Sequence, residues 1–253
     1  MLHTIVNGTP TGQPPLLIVH GLFGSARNWN VIAKRLSESR QVIAVDMRNH
    51  GDSPALAPHL YPEMVADLAR VIAAQGGQAD VLGHSMGGKA AMVLALAQPQ
   101  AVRRLIVADI APMAYPHSQT AYIHAMRGLD LSGLTSRGEA DRRLAEAVPD
   151  AGVRAFLLQS LDLRADPPRW KLNHDQLEAD MAEIVGFPEV SGQFDGPTLF
   201  LRGGLSTYVP AEAEARIRQL FPAAQIETIE GAGHWLHAEK PREFEVAVAA
   251  FLA

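Results

Sequence analysis

The chain has 253 residues, no cysteine, and 22 basic against 27 acidic side chains, which gives a formal net charge of −5. Without a thiol it cannot be a disulfide scaffold, a thiol enzyme or an iron–sulfur protein. A hydrophobic content of 47% and a charged content of 19% are typical of a globular protein, and no cluster of Lys and Arg indicates nucleic-acid binding.

No segment of the chain predicts membrane insertion or export. Residues 1–4 lack a basic stretch followed by an apolar one, and no apolar run reaches the roughly 18–20 residues that a membrane helix needs. The absence of cysteine agrees with a reducing compartment. We therefore expect a cytoplasmic protein with neither a membrane nor a nucleic-acid partner.

Short apolar runs rich in Val, Ile and Leu alternate with longer segments of helical periodicity. The predicted strands are 16–19, 41–45, 79–82, 105–109, 198–202 and 226–229, with 4–6 as a weaker edge candidate. The predicted helices between them are 28–36, 62–74, 86–97, 211–220 and 242–252. This alternation predicts an α/β fold with a mostly parallel central sheet and helices on both faces.

The interval 116–190 departs from the alternation because it holds amphipathic helical stretches and no convincing strand. Its predicted helices are 119–126, 136–147, 151–161 and 175–185. We expect residues 116–190 to form an inserted helical cap. Residues 1–115 and 191–253 would then form the core.

A candidate nucleophile lies in the motif Gly83-His84-Ser85-Met86-Gly87, between a predicted strand and a predicted helix. In this context the serine occupies a sharp turn that exposes its hydroxyl at the carboxyl edge of the sheet. The following helix directs unpaired N–H groups and the positive end of its dipole at the space above Ser85. Glycine-rich turns also serve packing or phosphate binding, but the phosphate-binding motifs have other spacings.

Four motifs occur in an order that resembles the α/β-hydrolase family, and within it the small bacterial esterases and acyl thioesterases of the YbfF type. They are His20-Gly21-Leu22-Phe23-Gly24, Asp46-Met47-Arg48-Asn49-His50-Gly51, the Ser85 motif and Gly231-Ala232-Gly233-His234-Trp235. The resemblance runs from about residue 16 to the C-terminus and is loosest in the predicted cap. It implies a serine hydrolase.

Serine is a poor nucleophile at neutral pH, so it needs a base and a third group that fixes the tautomer of that base. His234 follows the last predicted strand, and the family order of serine, acid and histidine places the base last. His237 is a competing candidate, but it stands beside a helix start, where we expect it to order the loop. A zinc site of these two histidines would lack the accompanying ligand pattern, so we expect no metal.

The acid departs from the commonest family pattern, which places an Asp in the loop after strand 198–202. That loop contains no carboxylate, and Ser206 stands about where the acid usually lies. The alternative location in the family is the end of the strand that follows the nucleophile helix, where this chain has Asp109. We predict Asp109 as the acid. We expect Ser206 to form a hydrogen bond with either Asp109 or His234. The competing interpretation is that Asp109 caps the turn before Pro112.

The resemblance also implies an oxyanion hole made by the N–H groups of Leu22 and Met86. Phe23 is an alternative first donor, or a wall of the acyl pocket. The residues predicted to support the site or bind substrate are Phe23, Ser206, Tyr208 and Trp235. The residues interpreted as structural are His20, Asp46, Arg48, His50 and His84.

Together these residues predict a carboxylic-ester hydrolase that acts through an acyl-enzyme on a small acyl ester or thioester. It would use no cofactor and would be a monomer or a homodimer. Other chemistry on the same scaffold, such as carbon–carbon hydrolysis, perhydrolysis or lyase activity, stays open because fold does not fix function. A weakly catalytic ligand-binding module is the alternative that the missing acid after Arg202 keeps open.

Overall fold

A seven-stranded sheet forms the centre of the structure, a computed structural model that describes residues 1–253. The strand order is β1-β3-β2-β4-β5-β8-β9, in which β1 is antiparallel to β3 and every other pair is parallel. A separate two-stranded sheet is formed by β6 and β7. The strands are β1 Thr4–Asn7, β2 Leu16–Val19, β3 Val42–Val45, β4 Ala79–His84, β5 Val102–Ala108, β6 Leu161–Asp162, β7 Arg169–Trp170, β8 Thr198–Gly203 and β9 Ala224–Ile229.

Helices cover both faces of the large sheet. They are α1 Asn30–Leu36, α2 Tyr61–Ala73, α3 Met86–Ala97, α4 Thr120–Gly128, α5 Arg137–Leu144, α6 Ala151–Leu157, α7 His174–Ala179, α8 Met181–Val185, α9 Glu214–Leu220, α10 Leu236–Glu239 and α11 Pro241–Leu252. None of these helices has both the length and the apolar character that crossing a bilayer requires.

Alternating side chains of the buried strands separate the two faces. In β2, Leu17 and Val19 belong to one buried cluster with α2 and α3, whereas Leu16 and Ile18 belong to the other with α1 and α11. Strands that are apolar on both faces are what a parallel sheet between two helical layers requires. The predicted fold class is therefore confirmed.

The order of the strands places β2 and β4 side by side, although β3 lies between them in sequence. The chain leaves β2 toward one edge of the sheet and later builds the other half from β4. In open α/β sheets the crevice outside the carboxyl ends of two such strands is where ligands bind. The loop after β2 and the turn after β4 meet at this crevice.

Residues between β5 and β8 contain α4 to α8 together with β6 and β7. Two expectations for this interval are wrong. It contains a short antiparallel pair, β6–β7, whose two-residue strands are too short to show periodicity. The helix expected over 175–185 is two helices, because Asp180 ends α7 and precedes α8.

The interval packs on the rest of the molecule through apolar side chains of its own. Ile123, Met126 and Leu177 are fully buried and join the same cluster as β2, α2 and α3. Its backbone also pairs with the loop after β3, where His50 and Leu172 form an isolated antiparallel bridge. The division into a core and a cap stays a prediction, since one buried cluster continues through both.

Candidate active site

Ser85 occupies the turn between β4 and α3 in a strained backbone conformation, with φ 52° and ψ −120°. Close packing requires the flanking glycines. A Cβ on Gly83 would lie 2.3 Å from the carbonyl oxygen of Gly87, and one on Gly87 would lie 2.4 Å from that of His20. The turn therefore packs directly against the start of α3 and the loop after β2, and the Ser85 hydroxyl is its exposed part.

A continuous chain of hydrogen bonds joins three side chains from three different loops. The Ser85 hydroxyl lies 3.1 Å from Nε2 of His234, and Nδ1 of His234 lies 2.7 Å from Oδ2 of Asp109. An ionised carboxylate only accepts, so Nδ1 carries the proton and Nε2 is left as the acceptor for the Ser85 hydroxyl. This is the arrangement of nucleophile, base and orienting acid that acyl transfer uses.

Asp109 follows the end of β5 and is fully buried, with a φ of 50°. Its carboxylate accepts three hydrogen bonds, from the Gly203 N–H at 2.9 Å, from the Ser206 hydroxyl and from His234. A buried carboxylate is costly unless its oxygens are paired, and here both are. The end of β8 thus supplies one donor to Asp109, and a second comes from the loop after β8, where the acid is more often found in the family.

The loop of residues 20–24, which is predicted to contribute to an oxyanion hole, follows β2 and lies against the Ser85 turn. A Cβ on Gly21 would come within 3.1 Å of the Ser85 Cβ. The Leu22 N–H has no acceptor within the protein, and Met86 begins α3, so its N–H has no intrahelical acceptor. The Phe23 N–H instead donates to Nε2 of His50 at 3.1 Å, which excludes it as the free donor and leaves Phe23 as a wall of the pocket.

The other histidines near Ser85 have structural contacts. His84 Nε2 donates to the backbone oxygen of His234 at 2.9 Å, and burial lowers its pKa well below the ordinary value. His237 lies in α10, where it stacks on Trp29 with ring centroids 4.1 Å apart. Burial lowers its pKa to about 3. His237 makes no hydrogen bond to Ser85, so it does not compete with His234 as the base.

Aromatic side chains pack around His234, the predicted base. Tyr208 stacks on His234 with ring centroids 3.9 Å apart and planes 23° apart. The Tyr115 hydroxyl donates to the Tyr208 backbone oxygen at 2.6 Å and accepts from the Ala111 N–H at 2.9 Å. The sequence offered no signal for Tyr115, because its contact with Tyr208 joins residues that are 93 positions apart.

A cavity of about 290 Å³ opens onto Ser85. Its wall is mostly apolar, with side chains from the loop after β2, from α3 and from the interval predicted as a cap. The cap interval contributes Val153, Phe156, Leu157, Ile184 and Val185, and Trp235 completes the wall beside His234. Lys89 of α3 is the only lysine or arginine at this wall, and the sequence analysis gave it no role.

One group of side chains has the spacing of a metal site. Single ligand atoms of His3, Asp46 and Asp52 lie within 4.8 Å of one another. The Asp46 oxygens already accept the N–H groups of Ala26 and Asp52, and Oδ2 lies 2.9 Å from Nδ1 of His3. The three side chains therefore lie close together because Asp46 links neighbouring loops, which is the structural role expected for it.

Comparisons with known proteins agree with the geometry. A family model described as the α/β-hydrolase fold matches residues 14–241. The chain is 42% identical to the sn-1-specific diacylglycerol lipase ABHD11 of Mus musculus over 260 residues, which cover 99% of this chain and 84% of the relative. It is 37% identical to the esterase YbfF of Escherichia coli over 240 residues, 94% of this chain and 92% of the relative. A solved marine microorganism esterase superposes with a TM-score of 0.92 at 37% identity, over 99% of this chain and 98% of that one.

Proposed function

Because this chain belongs to the α/β-hydrolase family, we propose that it cleaves carboxylic esters through an acyl-enzyme formed on Ser85. His234 is the general base and Asp109 is the acid that orients it. The single observation that carries this proposal is the hydrogen-bonded chain from the Ser85 hydroxyl through His234 to the buried Asp109.

The first half of the reaction forms the acyl-enzyme. Ser85 Oγ attacks the acyl carbon while its proton passes to Nε2 of His234, and Asp109 stabilises the imidazolium that results. The negative oxygen of the tetrahedral intermediate accepts from the Leu22 and Met86 N–H groups. Each such donor typically contributes about 2.7–4 kcal/mol of transition-state stabilisation. The alcohol leaves with the proton that His234 returns.

The second half releases the acid. A water molecule takes the place of the alcohol and gives a proton to Nε2 of His234 as it attacks the Ser85 ester. The tetrahedral intermediate collapses to a carboxylic acid, and Ser85 recovers its proton from His234. An acyl thioester would follow the same two steps, and for this reason the proposal includes it as a substrate.

The polar groups of the cavity favour a neutral acyl chain. The Lys89 ammonium donates to the backbone oxygens of Ile184, Val185 and Gly186, at 2.8 Å for Val185, so its donors are used within the protein. No aspartate, glutamate or arginine lines the cavity. An ionised acyl group would therefore lose its water without gaining a free lysine or arginine as a partner.

Residues 116–190 are proposed to act as the cap that sorts these acyl chains. Side chains of α6 and α8 line the same cavity as the Ser85 turn. Phe156 of α6 packs on Trp235, which follows the base, with ring centroids 5.2 Å apart. Contacts of this kind connect the cap to the catalytic loop.

Turnover and labelling of Ser85 test the proposed function. Wild-type protein should hydrolyse p-nitrophenyl butyrate and bind one equivalent of a fluorophosphonate, and Ser85→Ala should do neither. Ser39→Ala, which changes an exposed serine, is the matched control and should behave like the wild type. If the wild type shows neither turnover nor labelling, the ligand-binding module replaces the hydrolase.

A matched pair of esters tests the preference for a neutral acyl group. The p-nitrophenyl ester of pentanoic acid and the mono-p-nitrophenyl ester of glutaric acid have acyl chains of equal carbon number. We expect kcat/KM for the pentanoate to be at least about tenfold higher, because the glutarate carboxylate finds no free cation. Equal values would show that Lys89 is available to substrate.

A further inference from the structure

Two consecutive peptide groups meet at Leu22, the residue whose N–H points into the oxyanion hole, and each is held by a buried histidine. On one side, Nδ1 of His20 donates to the Gly21 carbonyl oxygen at 2.8 Å. That carbonyl shares its peptide plane with the Leu22 N–H. On the other side, the Phe23 N–H donates to Nε2 of His50 at 3.1 Å. Leu22 therefore lies between two anchored peptide planes.

His50 is suited to its half of this arrangement. It is 1% exposed, and its Nδ1 donates to the Arg48 backbone oxygen at 2.9 Å, which leaves Nε2 as the acceptor for the Phe23 N–H. Burial lowers the pKa of His50 well below its ordinary value, so the ring is neutral and keeps that lone pair. Phe23 itself has a φ of 64°, a conformation that a non-glycine residue adopts only where its surroundings hold it.

The backbone next to His50 is held by hydrogen bonds to the segment that follows β7. The Gly51 N–H donates to the Lys171 oxygen at 2.9 Å, and the Asn173 N–H donates to the Asn49 oxygen at 3.0 Å. These bonds join the loop after β3 to the segment that follows β7. The residues on either side of His50 thus bind the cap interval, while the His50 ring binds the oxyanion-hole loop.

We propose that His50 is a positioning residue of the oxyanion hole, which holds the Phe23 amide so that the neighbouring Leu22 N–H faces the oxyanion. The inference rests on the proposed function. It replaces the purely structural interpretation of the motif around Asp46, Arg48 and His50, because one member of that motif reaches the loop that supplies a donor.

Two substitutions at the same position separate positioning from folding. His50→Leu fills similar space without an acceptor, whereas His50→Gln offers a side-chain oxygen to the Phe23 N–H. We expect kcat for p-nitrophenyl butyrate to fall about 10- to 100-fold in His50→Leu with KM within about twofold, since a displaced donor affects the transition state more than substrate binding. His50→Gln should recover most of kcat.

The matched control is His174→Leu, the same exchange at a half-buried histidine of α7 whose side chain forms no hydrogen bond or ring contact with residues 20–24. It should leave kcat within about twofold of the wild type. All rates are divided by the concentration of sites that a fluorophosphonate labels, so that misfolded protein does not lower the measured kcat. A kcat for His50→Leu equal to that of the wild type would overturn the proposal, as would an equal loss in His50→Gln.

Hydrogen exchange gives a readout that does not depend on turnover. The Phe23 amide should exchange slowly in the wild type and in His50→Gln, and about tenfold or more faster in His50→Leu. If the wild type hydrolyses no ester, the proposed function fails, and the exchange rates alone then decide whether His50 holds this amide. Equal rates in all three proteins would overturn the inference whatever the activity.

Discussion

At the scale of single residues, the proposed acid, Asp109, is the side chain whose location the structure explains most fully. Asp109 directly follows β5, where it accepts from the Gly203 N–H at the end of β8 and from the Ser206 hydroxyl in the loop after β8. Three donors hold the carboxylate in one orientation, with Oδ2 toward His234. The loop after β8 has no carboxylate of its own. It instead stabilises the Asp109 carboxylate through a hydrogen bond from Ser206.

Replacing Asp109 by Asn should remove catalysis while keeping the shape of the site. An amide can donate to Nδ1 of His234 and so favour the tautomer in which Nε2 carries the proton and cannot accept it from Ser85. We expect kcat to fall about 10⁴-fold, the loss that the same exchange causes in a serine protease triad. The measurement is ester turnover at pH 7.5, with the exposed Asp195→Asn as a control that should keep full activity. An active Asp109→Asn would assign the acid elsewhere.

Residue-scale prediction from the sequence succeeds where one strand or one turn decides the geometry. The motif around Ser85, the loop with His234 and the strand end at Asp109 are short-range features, and the structure brings these three side chains within hydrogen-bond distance, while their catalytic roles stay predictions. The choice between the Leu22 and Phe23 N–H groups depends on His50, which is 27 residues from Phe23. A short sequence motif cannot predict a contact between residues so far apart in the chain.

At the scale of elements, α3 connects the proposed nucleophile, Ser85, to the cap interval through Lys89. Its ammonium donates to the last carbonyl groups of α8, which have no partner within their own helix. The Tyr61 hydroxyl donates to one of them, the Ile184 oxygen, at 2.7 Å. Ile184 and Val185 line the cavity, so this contact sets the position of its wall.

Lys89→Met should destabilise the fold by about 1–3 kcal/mol, because it leaves the Gly186 oxygen without a donor and removes one of two donors from the Ile184 and Val185 oxygens. The loss should depend on pH. Burial lowers the pKa of Lys89 to about 7, whereas the unfolded chain keeps this proton up to a pKa of about 10.4. Between these values the unfolded state binds the extra proton, so the free energy of unfolding of the wild type rises with pH.

The cost of Lys89→Met should therefore be larger at pH 9 than at pH 7, by about 2 kcal/mol at most. Urea unfolding at the two pH values measures it. Lys34→Met, at an exposed lysine of α1, is the control and should show no such difference. A cost that is the same at both pH values would mean that Lys89 keeps its proton throughout this range.

Sequence periodicity predicted elements better than it predicted their ends. The strands of the large sheet and the helices that cover it lie where the apolar runs place them, because each buries one continuous face. The pair β6–β7 and the break at Asp180 were missed. Both occur in short pieces whose conformation is set by contacts with the core, such as the bridge between His50 and Leu172.

At the scale of the whole molecule, the structure buries several histidines as neutral rings. Burial lowers the pKa of His20, His50, His59, His84 and His237. The unfolded chain would take up protons at these positions near pH 6.5, whereas the folded chain takes them up only at lower pH. The free energy of unfolding should therefore fall as the pH drops below about 6.5.

His237→Phe isolates one of these contributions. The pKa of His237 is about 3, its Nδ1 has no hydrogen-bond partner, and its ring stacks on Trp29, so a phenyl ring can replace it. We expect the variant to be within about 1 kcal/mol of the wild type at pH 8 and more stable by about 2 kcal/mol at pH 5. Denaturant unfolding at both pH values is the measurement.

The exposed His124→Phe is the control for this pH dependence, since its ring already meets water. This variant should be no more stable than the wild type at pH 5. A His237→Phe variant with the same acid sensitivity as the wild type would show that His237 is protonated in the folded protein. The acid sensitivity would then arise at other buried histidines.

The conformation of Ser85 also bears on how this protein can evolve. With a φ of 52° and a ψ of −120°, position 85 would be most relaxed with glycine, which has no Cβ to strain. Selection for a sturdier fold alone would favour that exchange, and it would remove the hydroxyl. Under the proposed function, the strain at Ser85 is tolerated because the reaction needs this hydroxyl. A more stable turn at this position would therefore lack the proposed nucleophile.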